Sequence, residues 1–489
     1  MGIKIRNNAG CRWLLKISPI INSTQIIGIW IIIFSALALS SLALVVSSVY
    51  AQTHNRPSLV DDRLQVEEVA KGINLATGMA FLGPNDILVL EQHNGTVLRV
   101  KNGTILPNPL LDVDVANAPE MGLLGIEILA REPGLSPFVF LYYTETQSTD
   151  GGNVLGNRLY RFTFMDDSEG GKLVDGKLLL DLPAVANTPT TRTIGGLEHN
   201  GGKLEIDDNG SIFLSIGDLR QKTKSQNFIS GFDADGSGGI LRISPEGNAV
   251  EDGILGRSHP LDKYFAYGIR NSFGIGFDPV TGYLWDTENG PAYDDEINLV
   301  MPGFNSGWQS VMGFIETPPE FEPEQLLRMV SSHIFEALHG VIVGNTTHAE
   351  THLAVAREQL ESYPIYSGLY NFSERNTYSD PEFVWHDAVG PTAIQFFNSS
   401  KLGNKYLNEM FVGDSNIGRI YNFALNENRT NLDLKGNLSD KVANNRNETD
   451  SVLFGEGFGI VTDIKVGPDG FLYIMALDTG TIYRVTPKD

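Results

Sequence analysis

Residues 77–100 read TGMAFLGPNDILVLEQHNGTVLRV, and residues 462–485 read TDIKVGPDGFLYIMALDTGTIYRV. Both segments contain two alternating apolar runs, which are typical of half-buried β-strands, and both end in Gly-Thr-x-x-Arg-Val. Between the runs, GPND and GPDG predict hairpin turns, because Gly, Asn and Asp accept a positive φ. A β-rich unit is therefore repeated near the two ends of the chain.

Four weaker copies of this pattern lie between the two segments, at residues 122–164, 201–243, 274–300 and 392–425. A four-stranded unit repeated six times predicts an all-β fold, a six-bladed β-propeller around a central channel. We expect residues 64–69 to add the outer strand of the last blade, because closing the ring removes a free sheet edge.

The interval from about 309 to 380 breaks the repeat. Within it, EPEQLLRMVSSHIFEALHG (322–340) spaces its apolar residues as a helix does. We predict a partly helical insertion after the fourth blade. It either lies on the face that carries the site, as functional loops do, or fills a gap between blades.

The N-terminus has the pattern of an export signal. Four basic residues precede an uncharged apolar core from about Ile26 to Val46: Lys4, Arg6, Arg12 and Lys16. We expect residues 1–51 to be a signal peptide cleaved after Ala51 or a retained membrane anchor, and residues 52–489 to be one propeller domain. The domain would then work outside the cytoplasm, secreted or anchored, with membrane contact only through this segment.

Composition agrees with an exported domain. The single cysteine, Cys11, precedes the apolar core, so the domain has no thiol for a disulfide or a metal site. The formal net charge of −23 argues against nucleic acid and anionic membrane surfaces as partners. Glycosylation sequons fit an exported surface; examples begin at Asn94, Asn102, Asn345, Asn428 and Asn447.

A histidine bracketed by glycines marks the first candidate functional cluster. Residues 195–202 read GGLEHNGG, with His199 at the entry to a repeat. Glycines let the backbone approach a ligand closely, and a neutral imidazole can take a proton from an alcohol near pH 7. The alternative is a histidine with only a structural role in the loop.

Two further clusters follow in the chain. Arg270-Asn271 precedes an apolar strand, where the arginine could hold a carbonyl or carboxylate, or could tie neighbouring blades together. Residues 287–299 read TENGPAYDDEINL, a density of oxygen donors that suits Ca²⁺ or, alternatively, a solvated acidic turn.

In this order, these clusters resemble the glucose/sorbosone dehydrogenase family, the soluble aldose dehydrogenases that depend on pyrroloquinoline quinone (PQQ). The similarity covers roughly residues 65–489 and rests on a set of ordered motifs: Gly122-Leu123-Leu124-Gly125, the His199 loop, Tyr267-Gly268-x-Arg270-Asn271, Glu288-x-Gly290-Pro291, Asp294-Asp295-Glu296-Ile297-Asn298-Leu299, Asn305-x-Gly307-Trp308 and Gly467-Pro468-Asp469-Gly470.

The resemblance implies a role for each candidate residue. His199 would be the base that deprotonates a sugar hydroxyl while hydride passes to PQQ, and Arg270 would polarise the quinone carbonyl. The backbone carbonyls of Gly290 and Pro291 would hold Ca²⁺. The cofactor-binding residues would be Glu120, Arg270, Asn271, Asn416 and Thr462. Such chemistry also needs an electron acceptor, which the sequence does not identify.

The chain departs from the family at three places. The family commonly has Gln at the position of Glu120, Lys near Asn416, and basic residues where this chain has Ile460, Val461 and Thr462. The carboxylates of PQQ need cationic partners. Three basic residues are candidates to replace the missing ones: Lys465, Arg419 and Arg192.

Three functions are consistent with these observations. The first is an exported, PQQ-dependent and Ca²⁺-dependent sugar or alcohol dehydrogenase. The second is a quinone-free propeller that binds carbohydrate or another partner at the surface. The third is a metal-dependent lactonase or hydrolase, with carboxylates converging on one cation: Glu120, Glu198, Asp218 and Glu288. Cationic side chains lining the channel beside His199 would favour the dehydrogenase.

Overall fold

The computed structural model describes residues 56–184, 198–250, 253–315 and 368–488. Their regular structure is almost entirely β. The strands of the first half are β1 (Ser58–Leu59), β2 (Leu64–Lys71), β3 (Ala76–Gly83), β4 (Asp86–Glu91), β5 (Thr96–Lys101), β6 (Thr104–Ile105), β7 (Leu111–Asp112), β8 (Leu123–Leu129), β9 (Phe138–Thr146), β10 (Val154–Met165), β11 (Lys172–Leu182), β12 (Leu204–Ile206), β13 (Ile212–Ile216) and β14 (Gly239–Ile243).

The second half continues the same pattern. Its strands are β15 (Tyr264–Tyr267), β16 (Ser272–Phe277), β17 (Leu284–Glu288), β18 (Tyr293–Val300), β19 (Phe304–Asn305), β20 (Thr377–Tyr378), β21 (Phe383–Asp387), β22 (Pro391–Phe396), β23 (Met410–Asp414), β24 (Arg419–Phe423), β25 (Val442–Ala443), β26 (Leu453–Glu456), β27 (Val461–Val466), β28 (Leu472–Ala476) and β29 (Thr481–Pro487). Short 3₁₀ helices cover Lys224–Gln226, Leu261–Lys263, Asn404–Tyr406, Gly436–Leu438 and Arg446–Val452.

The described strands form six sheets, each with an antiparallel core. These cores are β3–β6, β8–β11, β12–β15, β16–β18 with β21, β22–β24 with β26, and β27–β29 with β2. Each of the six sequence repeats supplies the first three strands of one sheet. The all-β, propeller-like fold predicted from the repeats is therefore confirmed.

The last sheet joins the two ends of the described chain. Strand β2 pairs antiparallel with β29, with Leu64 opposite Pro487 and Lys71 opposite Thr481. The strand expected at residues 64–69 is therefore present, and it covers the edge that β29 would otherwise expose. The predicted turns are also found, with a φ of 57° at Asn85 and 81° at Gly470.

Apolar residues fill the space between successive sheets. One cluster joins the fourth and fifth sheets through Trp285, Trp385 and Tyr421, and another joins the last sheet to the first through Met475 and Val89. Four similar clusters join the remaining neighbours. Burial of these alternating strand residues stabilises the fold, at roughly 25 cal/mol per Å² of apolar surface.

Two expectations fall outside the described residues. These are the N-terminal signal or anchor at residues 1–51 and the helical pattern at 322–340 within the insertion. Of the insertion, residues 309–315 and 368–380 are described, and β20 pairs in parallel with β19 beside the third sheet. None of the helices in the described ranges has the length and apolar character of a membrane-spanning segment.

Candidate active site

A cavity of about 420 Å³ is lined by residues from the loops and strand ends of all six sheets. The lining residues come mainly from the segments that lead into the first strand of a sheet or leave its second strand. The eight residues predicted from the sequence all line it: Glu120, His199, Arg270, Asn271, Gly290, Pro291, Asn416 and Thr462. The structure therefore brings them together, while their roles stay predictions.

His199 lies in the loop that leads into β12, and its side chain is buried. Its backbone has a φ of 63°, and its N–H donates to Oε2 of Glu120 at 2.6 Å. The ring Nδ1 lies 2.6 Å from Oδ1 of Asp218. Because the carboxylate engages Nδ1, the other ring nitrogen, Nε2, is the atom able to take a proton in the cavity.

Asp218 follows β13 and links the two predicted catalytic residues. Its Oδ2 accepts a hydrogen bond from Nε1 of Trp308 at 2.6 Å, and its backbone N–H donates to the carbonyl oxygen of Arg270 at 2.8 Å. Burial raises the pKa of this carboxyl, but its interactions with His199 and Arg270 and a hydrogen bond from the Arg220 N–H outweigh burial, so the pKa lies below its ordinary value. Asp218 is therefore an ionised partner for the imidazole at neutral pH.

A glycine allows the His199 and Arg270 segments to come together. A Cβ added at Gly217 would lie 2.2 Å from the carbonyl oxygen of His199 and 2.8 Å from that of Arg270. Any side chain here would push the two segments apart. Sequence reasoning did not single out Gly217, and it placed Asp218 only among possible metal ligands; the signal was their position at the end of a strand directly after Ile216.

Arg270 lies two residues before β16 and lines the cavity. Its Nη1 donates to the carbonyl oxygen of Asn289 at 2.7 Å, and its guanidinium carbon lies 5.4 Å from the Trp308 ring centroid. Burial lowers the pKa of this guanidinium while the charge of Asp218 opposes the change, and arginine remains a cation. Its Nε is buried and has no hydrogen-bond partner among the described residues.

Asn271 and Glu120 lie on the same cavity. Nδ2 of Asn271 lies 3.4 Å from Oε2 of Glu120, while Oδ1 of Asn271 is buried with no partner in the described part of the chain. Gln92 fixes the Glu120 loop, since its Nε2 donates to the carbonyl oxygens of Pro119 and Met121 at 2.8 and 2.9 Å. Buried polar atoms without partners are groups that a bound ligand can satisfy.

The Gly290-Pro291 turn is held from behind by a carboxylate. Oδ1 of Asp295 accepts from the Gly290 N–H at 2.8 Å, and its Oδ2 accepts from the N–H groups of Val389 and Gly390 at 2.7 and 2.8 Å. Burial raises the pKa of Asp295 to about 6, although these hydrogen bonds oppose the rise. Asp295 therefore joins two cavity loops through their backbones.

Other carboxyls of the predicted Ca²⁺ cluster are occupied within the protein. Glu288 accepts hydrogen bonds from the Arg270 N–H and from Oγ of Ser306, both at 2.6 Å, and Glu296 accepts from the Gly313 N–H at 2.6 Å. Across the described ranges, no three carboxyl, imidazole or thiol groups are arranged to hold one metal ion. The carbonyl oxygens of Gly290 and Pro291 remain the candidate Ca²⁺ donors.

The lactonase hypothesis needs several carboxylates around one cation, and the described residues contain no such group. Glu198 forms an ion pair with Arg220, Asp218 binds His199, and Glu288 binds backbone N–H. These carboxylates are therefore engaged separately.

Asn416 and Thr462 line the cavity through groups that also bind the backbone. Nδ2 of Asn416 donates to the Ala388 carbonyl at 3.2 Å, and Oγ1 of Thr462 donates to the Ala76 carbonyl at 2.7 Å. Neither residue carries a charge, so neither can neutralise an anionic ligand.

The cations of the cavity are not those suggested as replacements. Lys465 and Arg419 do not line the cavity. Lys465 pairs with Glu127 and Glu205 at 2.9 and 2.7 Å. Arg419 pairs with Asp450 at 3.0 Å. Arg192 lies outside the described residues. The described cationic side chains that line the cavity are Lys203, Arg220 and Arg270.

Comparison with known proteins gives a consistent result. The family model described as Glucose / Sorbosone dehydrogenase matches residues 73–316. The chain is 24% identical to the aldose sugar dehydrogenase YliI of Escherichia coli K12 over 434 residues, which cover 87% of this chain and 94% of that protein. It is 26% identical over 310 residues to the quinoprotein glucose dehydrogenase B of Acinetobacter calcoaceticus, covering 56% of this chain and 59% of that protein.

A solved structure agrees at the level of the fold. The PQQ-bound form of an aldose sugar dehydrogenase from Streptomyces coelicolor superposes with a TM-score of 0.56 at 19% identity, covering 88% of this chain and all of that one. At this identity the likeness concerns the fold alone.

Proposed function

Because the chain belongs to the glucose/sorbosone dehydrogenase family, we propose that it oxidises a hydroxyl group of an aldose sugar or related alcohol by hydride transfer to bound PQQ. The observation that carries the proposal is the hydrogen-bonded pair of His199 and Asp218, which shares one cavity with the Arg270 guanidinium. Oxidation of an alcohol needs a base for the hydroxyl proton and stabilisation of the negative charge that develops on the hydride acceptor. Both groups are available here.

His199 acts as the base through Nε2. The ionised carboxylate of Asp218 favours the tautomer with a proton on Nδ1, leaving the Nε2 lone pair free for the substrate proton. The same carboxylate stabilises the imidazolium that forms when the proton arrives. Trp308 holds the second oxygen of Asp218, which fixes the orientation of the pair.

The cavity fits an anionic group, because three cationic side chains line its walls: Lys203, Arg220 and Arg270. Arg270 and Asn271 would hold the cofactor beside Glu120, Asn416 and Thr462, while the Gly290 and Pro291 carbonyls would bind Ca²⁺. When bound, the quinone supplies the acceptor for the hydride.

The cations favour this function over the quinone-free binding module. A module that binds neutral carbohydrate gains little from charges placed around a buried base. A carboxylate-bearing cofactor, in contrast, needs partners of this kind when it leaves water.

We also propose an architecture and a location for this protein. We take the six sheets to be six blades around one channel, with residues 52–489 as the propeller domain and residues 1–51 as its signal peptide or anchor. The protein would then act outside the cytoplasm on a small sugar or alcohol. The apolar segment at Ile26–Val46 and the closure of the last sheet by β2 support this view.

Reconstitution tests the proposed function. Purified protein is incubated with PQQ and Ca²⁺, the absorbance spectrum of the quinone is recorded, and aldoses are added with an artificial electron acceptor. We expect a shifted quinone spectrum and aldose-dependent reduction of the acceptor. A quinone that binds without any sugar or alcohol turnover would contradict the assignment as a dehydrogenase.

A further inference from the structure

Ile460 and Thr462, at the start of β27, form one wall of the cavity. Residues 460–462 include no basic residue. Each of the two arginines of the cavity already has one partner. Arg220 forms its ion pair with Glu198, and Nη1 of Arg270 binds the Asn289 carbonyl. A cation at this wall therefore has to come from outside residues 460–462.

Lys203 reaches this wall from the residue just before β12. Its Nζ donates to the carbonyl oxygen of Thr462 at 2.5 Å and lies 3.4 Å from Oδ1 of Asp463. Lys203 also lines the cavity, and 14% of its side chain is exposed. The ammonium therefore lies at the wall where the local sequence supplies only Ile460, Val461 and Thr462.

The charge of Lys203 is incompletely balanced. An ammonium has three N–H donors, and the contacts with Thr462 and Asp463 account for two of them. The Asp463 carboxylate is shared, because its Oδ2 accepts the Met79 N–H at 2.8 Å. Burial lowers the pKa of Lys203, and the Asp463 charge only partly opposes this effect. A ligand carboxylate would complete both the hydrogen bonds and the charge balance.

Lys465 shows the contrasting case. It comes from the same strand as Asp463, and two carboxylates, Glu127 and Glu205, lie within 2.9 Å of its Nζ. With two anionic partners it has no need of a third, and it does not line the cavity.

We propose that Lys203 binds a carboxylate of the cofactor at the Thr462 wall, in place of basic residues from residues 460–462. The assignment rests on the proposed function, since it takes an aromatic polycarboxylate such as PQQ as the ligand. Lys203 is then an anchoring residue for the cofactor, separate from the proton transfer at His199.

Equilibrium titration with PQQ, at fixed Ca²⁺ and followed by quenching of protein fluorescence, tests the assignment. Lys203→Gln removes the charge and should weaken PQQ binding about tenfold to a hundredfold, the usual range for a charge-assisted hydrogen bond. Lys203→Arg keeps the charge and should restore most of the affinity. Thermal unfolding of each variant verifies that it is folded.

A variant with the opposite expected effect keeps the test decisive even if Lys203→Gln does not fold. Asp463→Asn can still accept the Met79 N–H through its amide oxygen but no longer neutralises Lys203, so PQQ should bind several-fold more tightly. Unchanged or weaker binding in this variant counts against the assignment.

Two other results would overturn it. One is unchanged PQQ affinity in folded Lys203→Gln. The other is an equal loss in Arg220→Gln, which would mean that the net charge of the cavity, and not the Lys203 contact, retains the ligand. Lys203-dependent binding without sugar oxidation would contradict only the proposed function, whereas a wild-type protein that binds no PQQ would contradict both.

Discussion

Nδ1 of His199 lies 2.6 Å from Oδ1 of Asp218, a residue whose backbone N–H also donates to the carbonyl oxygen of Arg270. One aspartate therefore orients the proposed base and connects it to the proposed electrophilic residue. Trp308 takes up the second carboxylate oxygen, so Asp218 has little freedom to turn away. The tautomer and the position of the proposed base both depend on this carboxylate.

Asp218→Asn should lower kcat for sugar oxidation by about a hundredfold or more, the contribution usual for a correctly oriented general base. The amide cannot stabilise an imidazolium and can favour the wrong tautomer, while its shape is retained. The affinity for PQQ should change little. Steady-state kinetics and PQQ titration measure the two quantities separately.

Asp414→Asn is the matched control. Asp414 is a buried aspartate at the end of β23, where it accepts from the N–H groups of Ile417 and Gly418 at 2.9 and 2.8 Å. Its change should leave kcat near the wild-type value. If Asp218→Asn behaves like this control in kcat, Asp218 serves only to hold the fold.

The repeats made most of the fold predictable from the sequence. Alternating runs and the GPND and GPDG turns are local signals, and a strand ahead of the first repeat follows from the need to cover β29. The insertion gave no comparable certainty, because helical spacing at 322–340 does not determine where a helix packs. Strands and turns were therefore predictable, because neighbouring residues determine them. The packing of the insertion depends on contacts with distant residues.

The site was predictable only in part, for a physical reason. His199, Arg270 and Gly290 stand in recognisable loops, so their arrival at one cavity could be expected from the propeller. Their partners are set by contacts between distant segments. The Lys203 ammonium lies beside Thr462, 259 residues away in the sequence. Lys465 was a candidate partner for the cofactor carboxylates, but two carboxylates of the protein bind it.

Stability should decrease as the pH rises from about 5 to 8. Burial raises the pKa of Asp286 to about 7, of Glu288 to about 8 and of Asp295 to about 6, and it raises the pKa of Glu296 well above its usual range. These carboxyls bind protons more tightly in the folded chain, so their contribution is fully present below the unfolded pKa values near 4 and is lost as the pH passes the folded values. Calorimetry should show a Tm lower by about a few degrees at pH 8 than at pH 5.

Glu288→Gln tests the source of this pH dependence. The neutral amide can keep the hydrogen bonds with the Arg270 N–H and Ser306 Oγ without carrying a buried charge, so the decrease in Tm should become smaller. Glu67→Gln is the control, because hydrogen bonds from Arg484 lower the pKa of Glu67 and its titration lies below this pH window. Equal slopes in wild type and Glu288→Gln would show that other groups control the effect.

Removal of Ca²⁺ with a chelator should abolish PQQ-dependent turnover, and added Ca²⁺ should restore it. Asp295→Asn should raise the Ca²⁺ concentration for half-maximal recovery about tenfold or more, the usual effect of disturbing a residue that supports metal ligands. The reason is that Asp295 holds the Gly290 turn through its N–H. Recovery is measured as sugar oxidation against free Ca²⁺.

Asp294→Asn is the control for the Ca²⁺ experiment. The neighbouring carboxylate of Asp294 pairs with Nδ1 of His386 at 2.9 Å, on a different partner from the Gly290 turn that Asp295 holds. Its Ca²⁺ dependence should match that of the wild type. Full activity of the chelated wild type would rule out an essential Ca²⁺ at this turn.

His199→Ala and Arg270→Ala should separate the two functions of the cavity. Loss of the His199 imidazole removes the base, so turnover should fall by about a hundredfold to ten-thousandfold while the Kd for PQQ changes little. Loss of Arg270 removes both a cation and the hydrogen bond that holds the Asn289 carbonyl, so turnover and PQQ affinity should both fall, the affinity by about tenfold or more.

His386→Ala serves as the control, because His386 does not line the cavity and pairs with Asp294. If PQQ binding is lost equally in His199→Ala and Arg270→Ala, His199 is a cofactor ligand and the assignment of the base is wrong. If turnover survives in His199→Ala, proton removal does not depend on the imidazole, and the pair with Asp218 has a structural role only.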